Sequence, residues 1–188
     1  MKVNANTLRK GNVIEYNGKL WLVMKNDIIT PGKGASVAQI EMRDVRSGAK
    51  DNVRFRTQEV VERVRLEQEE YQFLYGDDSI CNFMHTTNYE QITISRDIIG
   101  PPAAFLQEGM IVEVESFEGE ALSVQLPDTV VMKIVEAEPV VKGQTATTSY
   151  KPAILENGVK IMVPPHIGSE IRVVIRTEDA SYVERAKD

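Results

Sequence analysis

The chain has 188 residues, 42% hydrophobic and 27% charged, with a formal net charge of −6 and one cysteine. That composition is globular, no run approaches the roughly 20 apolar residues a membrane-spanning helix needs, and one cysteine excludes an internal disulfide framework. The opening MKVNANTLRKGN lacks the apolar core of a secretory leader, so a soluble cytoplasmic protein is expected, with Cys81 a small core residue in the strand-like SICNFM.

In chain order, Asn17-Gly18 separates NVIEY from KLWLVMK and favours a type I′ hairpin. Strands are expected over 19–30 and 35–45, joined by TPGKGAS (30–36). In this turn Pro31 presets φ and Gly32 is expected to take the positive φ of a type II turn. In VAQIEMRDV, Ala38, Ile40 and Met42 face one way and Gln39, Glu41 and Arg43 the other. Ser47-Gly48 leads into NVRFR, with Val53 and Phe55 inward and Arg54 and Arg56 outward. Gly76-Asp77, Glu118-Gly119 and Asn157-Gly158 separate further alternating runs, such as Val112/Val114, Leu122/Val124/Leu126 and Val173/Ile175. Short strands with regular turns predict an all-β fold of barrels or sandwiches. One short helix is expected near 95–106, broken at Pro101-Pro102.

The charge is uneven. Residues 1–64 carry 12 Lys+Arg against 7 Asp+Glu (+5), residues 65–127 carry 2 against 12 (−10), and residues 128–188 carry 8 against 9 (−1). Boundaries near 64 and 127 give three units of about 60 residues, each marginal by itself. SVQLPDTVVMKIVEAE (123–138) echoes KIMVPPHIGSEIRVVIRTED (160–179), with Pro127 matching Pro164, and suggests two similar barrels in tandem.

A search for catalytic chemistry finds none. His85 and His166 lie in different predicted domains, no Cys/His cluster has zinc spacing, and Gly32-Lys33-Gly34 satisfies neither the P-loop nor the dinucleotide fingerprint. Glu113 and Glu115 alternate with valines and read as a solvated strand face, and His166 as a turn residue. No metal, cofactor or enzymatic activity is expected. Binding remains, and here Lys33 has two readings on turn chemistry alone. It is a polar residue that solubilises a turn, or it is the working end of a hairpin about 30 Å long at about 3.3 Å per residue. A glycine-flanked amine is also an open target for acylation.

NGKLWLVMKNDIITPGKGASVAQIEMRDVRSGAK (17–50), FMHTTNYEQ (83–91), VKGQTATTSYKPAILENGVKIMVPPHIGSEIRV (141–173) and YVERA (182–186) resemble, collinearly and with matching length, the bacterial translation elongation factor P family. The resemblance implies an SH3-like (KOW-type) N-terminal barrel (1–64) followed by two OB-like barrels (65–127 and 128–188), in an L that imitates a tRNA. It implies a monomer that binds the ribosome between the peptidyl-tRNA and exit sites and relieves stalling at consecutive prolines. Lys33, presented by Pro31, Gly32 and Gly34, would then reach toward the peptidyl-transferase centre, bare or carrying a β-lysyl-type group added by a lysine-modifying enzyme. The loop from Gly143 to Ala153, with Thr145, Ala146 and Thr148, would lie near the exit-site codon, and Tyr182 and Arg185 near the small subunit. Arg9, Lys10, Lys25, Arg43, Arg54 and Arg56 are candidates for phosphate contacts. Two departures stand out: Gln144 replaces a common aspartate, and Thr147-Thr148-Ser149-Tyr150 replaces a smaller, glycine-richer stretch. Alternatives are the elongation factor P-like paralogue, whose tip usually departs from PGKG, and a general RNA-binding OB protein. The latter would show a basic groove with stacked aromatics, whereas aromatics are 6% of this chain.

Overall fold

The structure, a computed structural model, describes residues 1–139 and 149–187. Its elements are almost all antiparallel strands, in three sheets. By compactness the chain forms two bodies, Met1–Glu67 with Ser116–Leu122, and Gln68–Glu115 with Ser123–Asp188. Among the described residues no helix is long and apolar enough to cross a membrane.

The first sheet contains β1 (Lys2–Asn4), β2 (Val13–Tyr16), β3 (Lys19–Ile29), β4 (Val37–Asp44), β5 (Lys50–Arg56) and β6 (Val60–Val64), ordered β1-β6-β2-β3-β4-β5. Asn17 (φ 51°) and Gly18 (φ 73°) both take positive φ, as the type I′ turn between β2 and β3 requires. The alternation read in β4 holds: Ala38, Ile40, Met42 and Asp44 are buried and the residues between them only half-buried. Ala38, Ile40 and Met42 join Ala5, Leu8, Ile14, Trp21, Val23, Phe55 and Val61 in one core. Burying one such aliphatic side chain contributes about 1.5–3 kcal/mol. An exposed ion pair such as Lys25–Asp27, at 3.3 Å, contributes about 0.2–1 kcal/mol, so the apolar face holds this sheet closed.

The second sheet contains β7 (Glu67–Gly76), β8 (Ile80–His85), β9 (Gln91–Ser95), β10 (Ile111–Phe117) and β11 (Glu120–Gln125), ordered β11-β10-β7-β8-β9. The helix expected near 95–106 is α1 (Arg96–Ile99), stopped by Gly100 at φ 75° and followed by a 3-10 turn over Pro101–Phe105. Cys81 is a buried β8 residue, 1% exposed, beside the fully buried Phe83.

The third sheet contains β12 (Thr129–Ala137), β13 (Lys151–Leu155), β14 (Lys160–Val163), β15 (Arg172–Arg176) and β16 (Ser181–Arg185), ordered β14-β13-β12-β15-β16. Buried Thr177 donates from Oγ1 to the Pro127 carbonyl at 2.6 Å and so anchors the chain entering β12. The second and third sheets share one strand order, fifth-fourth-first-second-third within each, so two similar units stand in tandem as expected, but the echoed stretches are not corresponding parts of them. Pro127 links β11 of the second sheet to β12 of the third, whereas Pro164 links β14 and β15, non-neighbours within the third.

Candidate functional site

The tip is where β3 and β4 run out of core. Along β3 the burial pattern alternates as far as Asn26 and is exposed from Asp27 to the end of the strand. On β4 the last buried residue is Ala38, opposite Ile28. Beyond these the hairpin carries only its own residues, with Ile28 and Ile29 48% and 42% exposed. From Asn26 to Lys33 is seven residues, at most about 23 Å of extended chain at 3.3 Å each. The free prong is therefore shorter than the whole hairpin.

Below the loop, Ser36 donates its hydroxyl to Thr30 Oγ1 at 3.3 Å and ties the two strand ends together. Residues Pro31 to Ala35 are all exposed and form an open bend rather than a hydrogen-bonded type II turn. The expected positive φ falls on Gly34, at +108°, and not on Gly32. Pro31 fixes the entry, and the reversal is deferred to Gly34, where a Cβ would stand 3.9 Å from Pro31 Cγ. Around Gly32 nothing lies within 4 Å of a Cβ. Lys33 between them is exposed, and among the described residues no ion pair holds its amine.

The basic candidates divide. β4 and β5 pair Val37 with Arg56, Gln39 with Arg54, and Arg43 with Lys50. Because Ala38, Ile40 and Phe55 point into the core, Arg43, Arg54 and Arg56 share the outer face, and β5 is the edge strand of its sheet. Lys50 belongs to this stripe and was not among the expected residues. The period-two spacing 50, 54, 56 was its signal, hidden by Asp51 and Asn52 at the strand start. Lys25 pairs with Asp27 across 3.3 Å. Arg9 and Lys10 stand apart, in the loop leading to β2, where the Arg9 N–H is held by Asn12 Oδ1 at 2.9 Å.

Of the other titratable groups singled out in the sequence, His85 and Glu115 bond within the second sheet. His85 Nδ1 accepts the N–H groups of Thr87 and Asn88 at 3.1 Å, and its Nε2 lies 3.5 Å from Glu69 Oε2. Tyr71 meets its ring edge-on at 5.0 Å, and burial raises the Tyr71 phenol above its usual pKa. Glu113 and Glu115 are half-buried rather than solvated, and burial raises the Glu115 carboxyl, which accepts from Gln68 at 3.4 Å. His166 is exposed in a turn, as read. Among the described residues no three His, Cys, Asp or Glu side chains are grouped to hold a metal.

On the edge strand β16, Tyr182 is half-buried opposite Ile175 and Arg185 is exposed opposite Val173. Burial, then the neighbouring Tyr150, raises the Tyr182 phenol above its usual pKa. Gly143, Gln144, Thr145, Ala146, Thr147 and Thr148 lie outside the described residues.

Three family models match consecutive parts of the chain: the elongation factor P KOW-like domain over residues 4–61, the elongation factor P OB domain over 66–124, and the elongation factor P C-terminal domain over 130–185. The elongation factor P of Rhodospirillum centenum is 55% identical over 188 residues, covering 100% of each chain. That of Parvibaculum lavamentivorans is 55% identical over 186 residues, covering 99% of this chain and 100% of its own. That of a Ruegeria species is 53% identical over 185 residues, covering 98% and 99%. With three strand-built sheets in the matching order and near-complete coverage on both sides, the chain belongs to the elongation factor P family of translation elongation factors.

Proposed function

We propose that this factor works in the cytoplasm as a monomer on the ribosome, between the peptidyl-tRNA and exit sites, and relieves stalling at consecutive prolines. Lys33 is its working end and reaches toward the peptidyl-transferase centre, bare or extended by a β-lysyl-type group that a lysine-modifying enzyme attaches. The observation that carries this reading is an exposed amine, in no ion pair among the described residues, at the apex of a prong whose flanking residues add no competing bulk. Proline is a poor participant in peptide transfer, and a factor that holds the reacting tRNA end acts through orientation and entropy. Those effects are worth up to about 7–11 kcal/mol in favourable cases, so no catalytic side chain of its own is required. The Arg43, Lys50, Arg54 and Arg56 stripe supplies phosphate contacts. Arg9 and Lys10 add to them from the loop before β2, while Lys25 on β3, paired with Asp27, adds little. Tyr182 and Arg185 contact the small subunit, and the segment containing Gly143, Thr145, Ala146 and Thr148 contacts the exit-site codon.

The test is a reconstituted translation assay on a three-proline reporter, comparing protein from its own host with Lys33→Ala. The variant is expected to unfold within about 0.5 kcal/mol of wild type, as for an exposed residue away from packing, and to lose stall relief. Intact mass of the wild type then reports what Lys33 carries. Full activity in Lys33→Ala would return the lysine to the role of a polar turn residue.

A further inference from the structure

Asn26 sits where the prong leaves the barrel. It pairs with Ile40 across β3 and β4 on the core side, and its Nδ2 donates to the carbonyls of Ala5, at 3.0 Å, and Leu8, at 2.9 Å. Its Oδ1 is buried with no hydrogen-bond partner among the described residues. The two Nδ2 bonds stabilise this junction, against the cost of the unpartnered oxygen. What the amide supplies is a forked donor that joins the root of the prong to a turn 18 to 21 residues earlier in the chain.

That turn is held in its own right. Ala5 N–H donates to Glu59 O at 2.9 Å and Asn6 N–H to Thr57 O at 3.1 Å, both in the corner between β5 and β6. From the same corner Thr57 N–H reaches Ser36 O at 3.3 Å, and Ser36 Oγ reaches Thr30 Oγ1 at 3.3 Å. Hydrogen bonds therefore run from β3 through the N-terminal turn and the corner to both feet of the loop that carries Lys33. We propose that Asn26 is a positioning residue that aims Lys33, an inference that rests on Lys33 being the working end. A rotation of about 5° at its root moves the apex of a roughly 20 Å prong by about 2 Å. Misplacement by about 1 Å is enough to cost on the order of 100-fold in a reaction that depends on orientation.

The discriminating variants are Asn26→Asp and Asn26→Ala in the full chain. Aspartate keeps the shape but turns an oxygen toward the two carbonyls; alanine removes the donor without adding charge and decides the matter if the aspartate variant does not fold. Residual dipolar couplings of the Gly32, Lys33 and Gly34 amides are compared with those of Val23 and Ile40, and stall relief is measured across factor concentrations. The expected result is unchanged core couplings, reoriented or averaged tip couplings, and a rate at saturation down about 10-fold or more, while the ribosome Kd moves less than about 3-fold. Tip couplings equal to wild type in a folded variant would overturn the proposal, as would a rate loss fully accounted for by weaker binding. If Lys33→Ala keeps full activity, it is the reading of Lys33 that fails. The couplings, measured without ribosomes, still decide whether Asn26 sets the direction of the tip.

Discussion

Gly32 and Gly34 flank Lys33 symmetrically in the sequence but not in conformation. Gly34 adopts φ +108°, a region side-chain-bearing residues rarely occupy, while Gly32 does not take positive φ and has open space around its Cα. Holding a non-glycine residue in such a region costs on the order of 1–3 kcal/mol, which a solvent-exposed bend without hydrogen bonds relieves by changing shape. Gly34→Ala is therefore expected to redirect Lys33 and reduce stall relief about tenfold or more, in line with the sensitivity of oriented reactions to small misplacements. Gly32→Ala is expected to stay within about twofold of wild type by the same measure, its Cβ meeting nothing and its φ unstrained. Rates of three-proline synthesis for the two variants, with Lys33 amide shifts as the conformational readout, check this. Equal losses in both would mean that the loop needs glycine for close approach to a partner rather than for its own backbone. The sequence shows two glycines around a lysine but not which one turns the chain. That choice follows from Pro31 opening the loop and from the Ser36–Thr30 tie closing it, a contact between residues six apart.

At the scale of elements, the turns carry a charge-dependent device. Asp44 ends β4 opposite Trp21, is 5% exposed, and accepts the N–H groups of Arg46 at 2.9 Å and Ser47 at 3.3 Å, with Lys19 Nζ at 3.8 Å. The Arg46 N–H chiefly, then that of Ser47 and the charge of Lys19, outweigh burial and hold its carboxyl below the usual 3.8. Asp77 and Asp179 do the same in their own turns, held down by the N–H groups of Ile80 and Ser79 and by Ser181. A carboxyl with a depressed folded pKa stabilises the fold above its unfolded value, and that stability is lost as pH falls through the unfolded value toward the folded one. The urea midpoint of the first barrel, followed by the fluorescence of Trp21, the single tryptophan, should be nearly level above about pH 5 and fall below about pH 4. In Asp44→Asn the amide oxygen still accepts both N–H groups and does not titrate, so the acid fall should be shallower. An unchanged slope would place the titrating group elsewhere. Strand positions and faces were legible here because alternation reports burial directly. The pairing of Asp44 with Trp21 was not, since period two shows which way a residue points and not which strand lies beside it.

For the whole molecule, the sequence alone already gave the charge gradient, +5 over residues 1–64 and −10 over 65–127, but not how the basic residues share surfaces. Register does that: Arg43 faces Lys50 and Gln39 faces Arg54, which lines Arg43, Lys50, Arg54 and Arg56 along one edge of the first sheet, while Lys25 is occupied by Asp27. The Asn26 fork was equally hidden, because it joins residues that only the folded barrel brings together. If the edge stripe contacts phosphates, each contact releases counterions, and the binding constant for ribosomes falls steeply with salt. Arg54→Ala and Arg56→Ala should each weaken binding and lower the slope of log K against log salt by about one, and the double variant by about two. Lys25→Ala, already paired within the chain, should change the slope by much less than one. Ribosome pelleting or anisotropy across about 50–200 mM salt measures this. Two arginine variants that weaken binding equally at every salt concentration would mean that the stripe meets a partner through packing and hydrogen bonds, and that the phosphate contacts lie with Arg9 and Lys10 in the loop before β2.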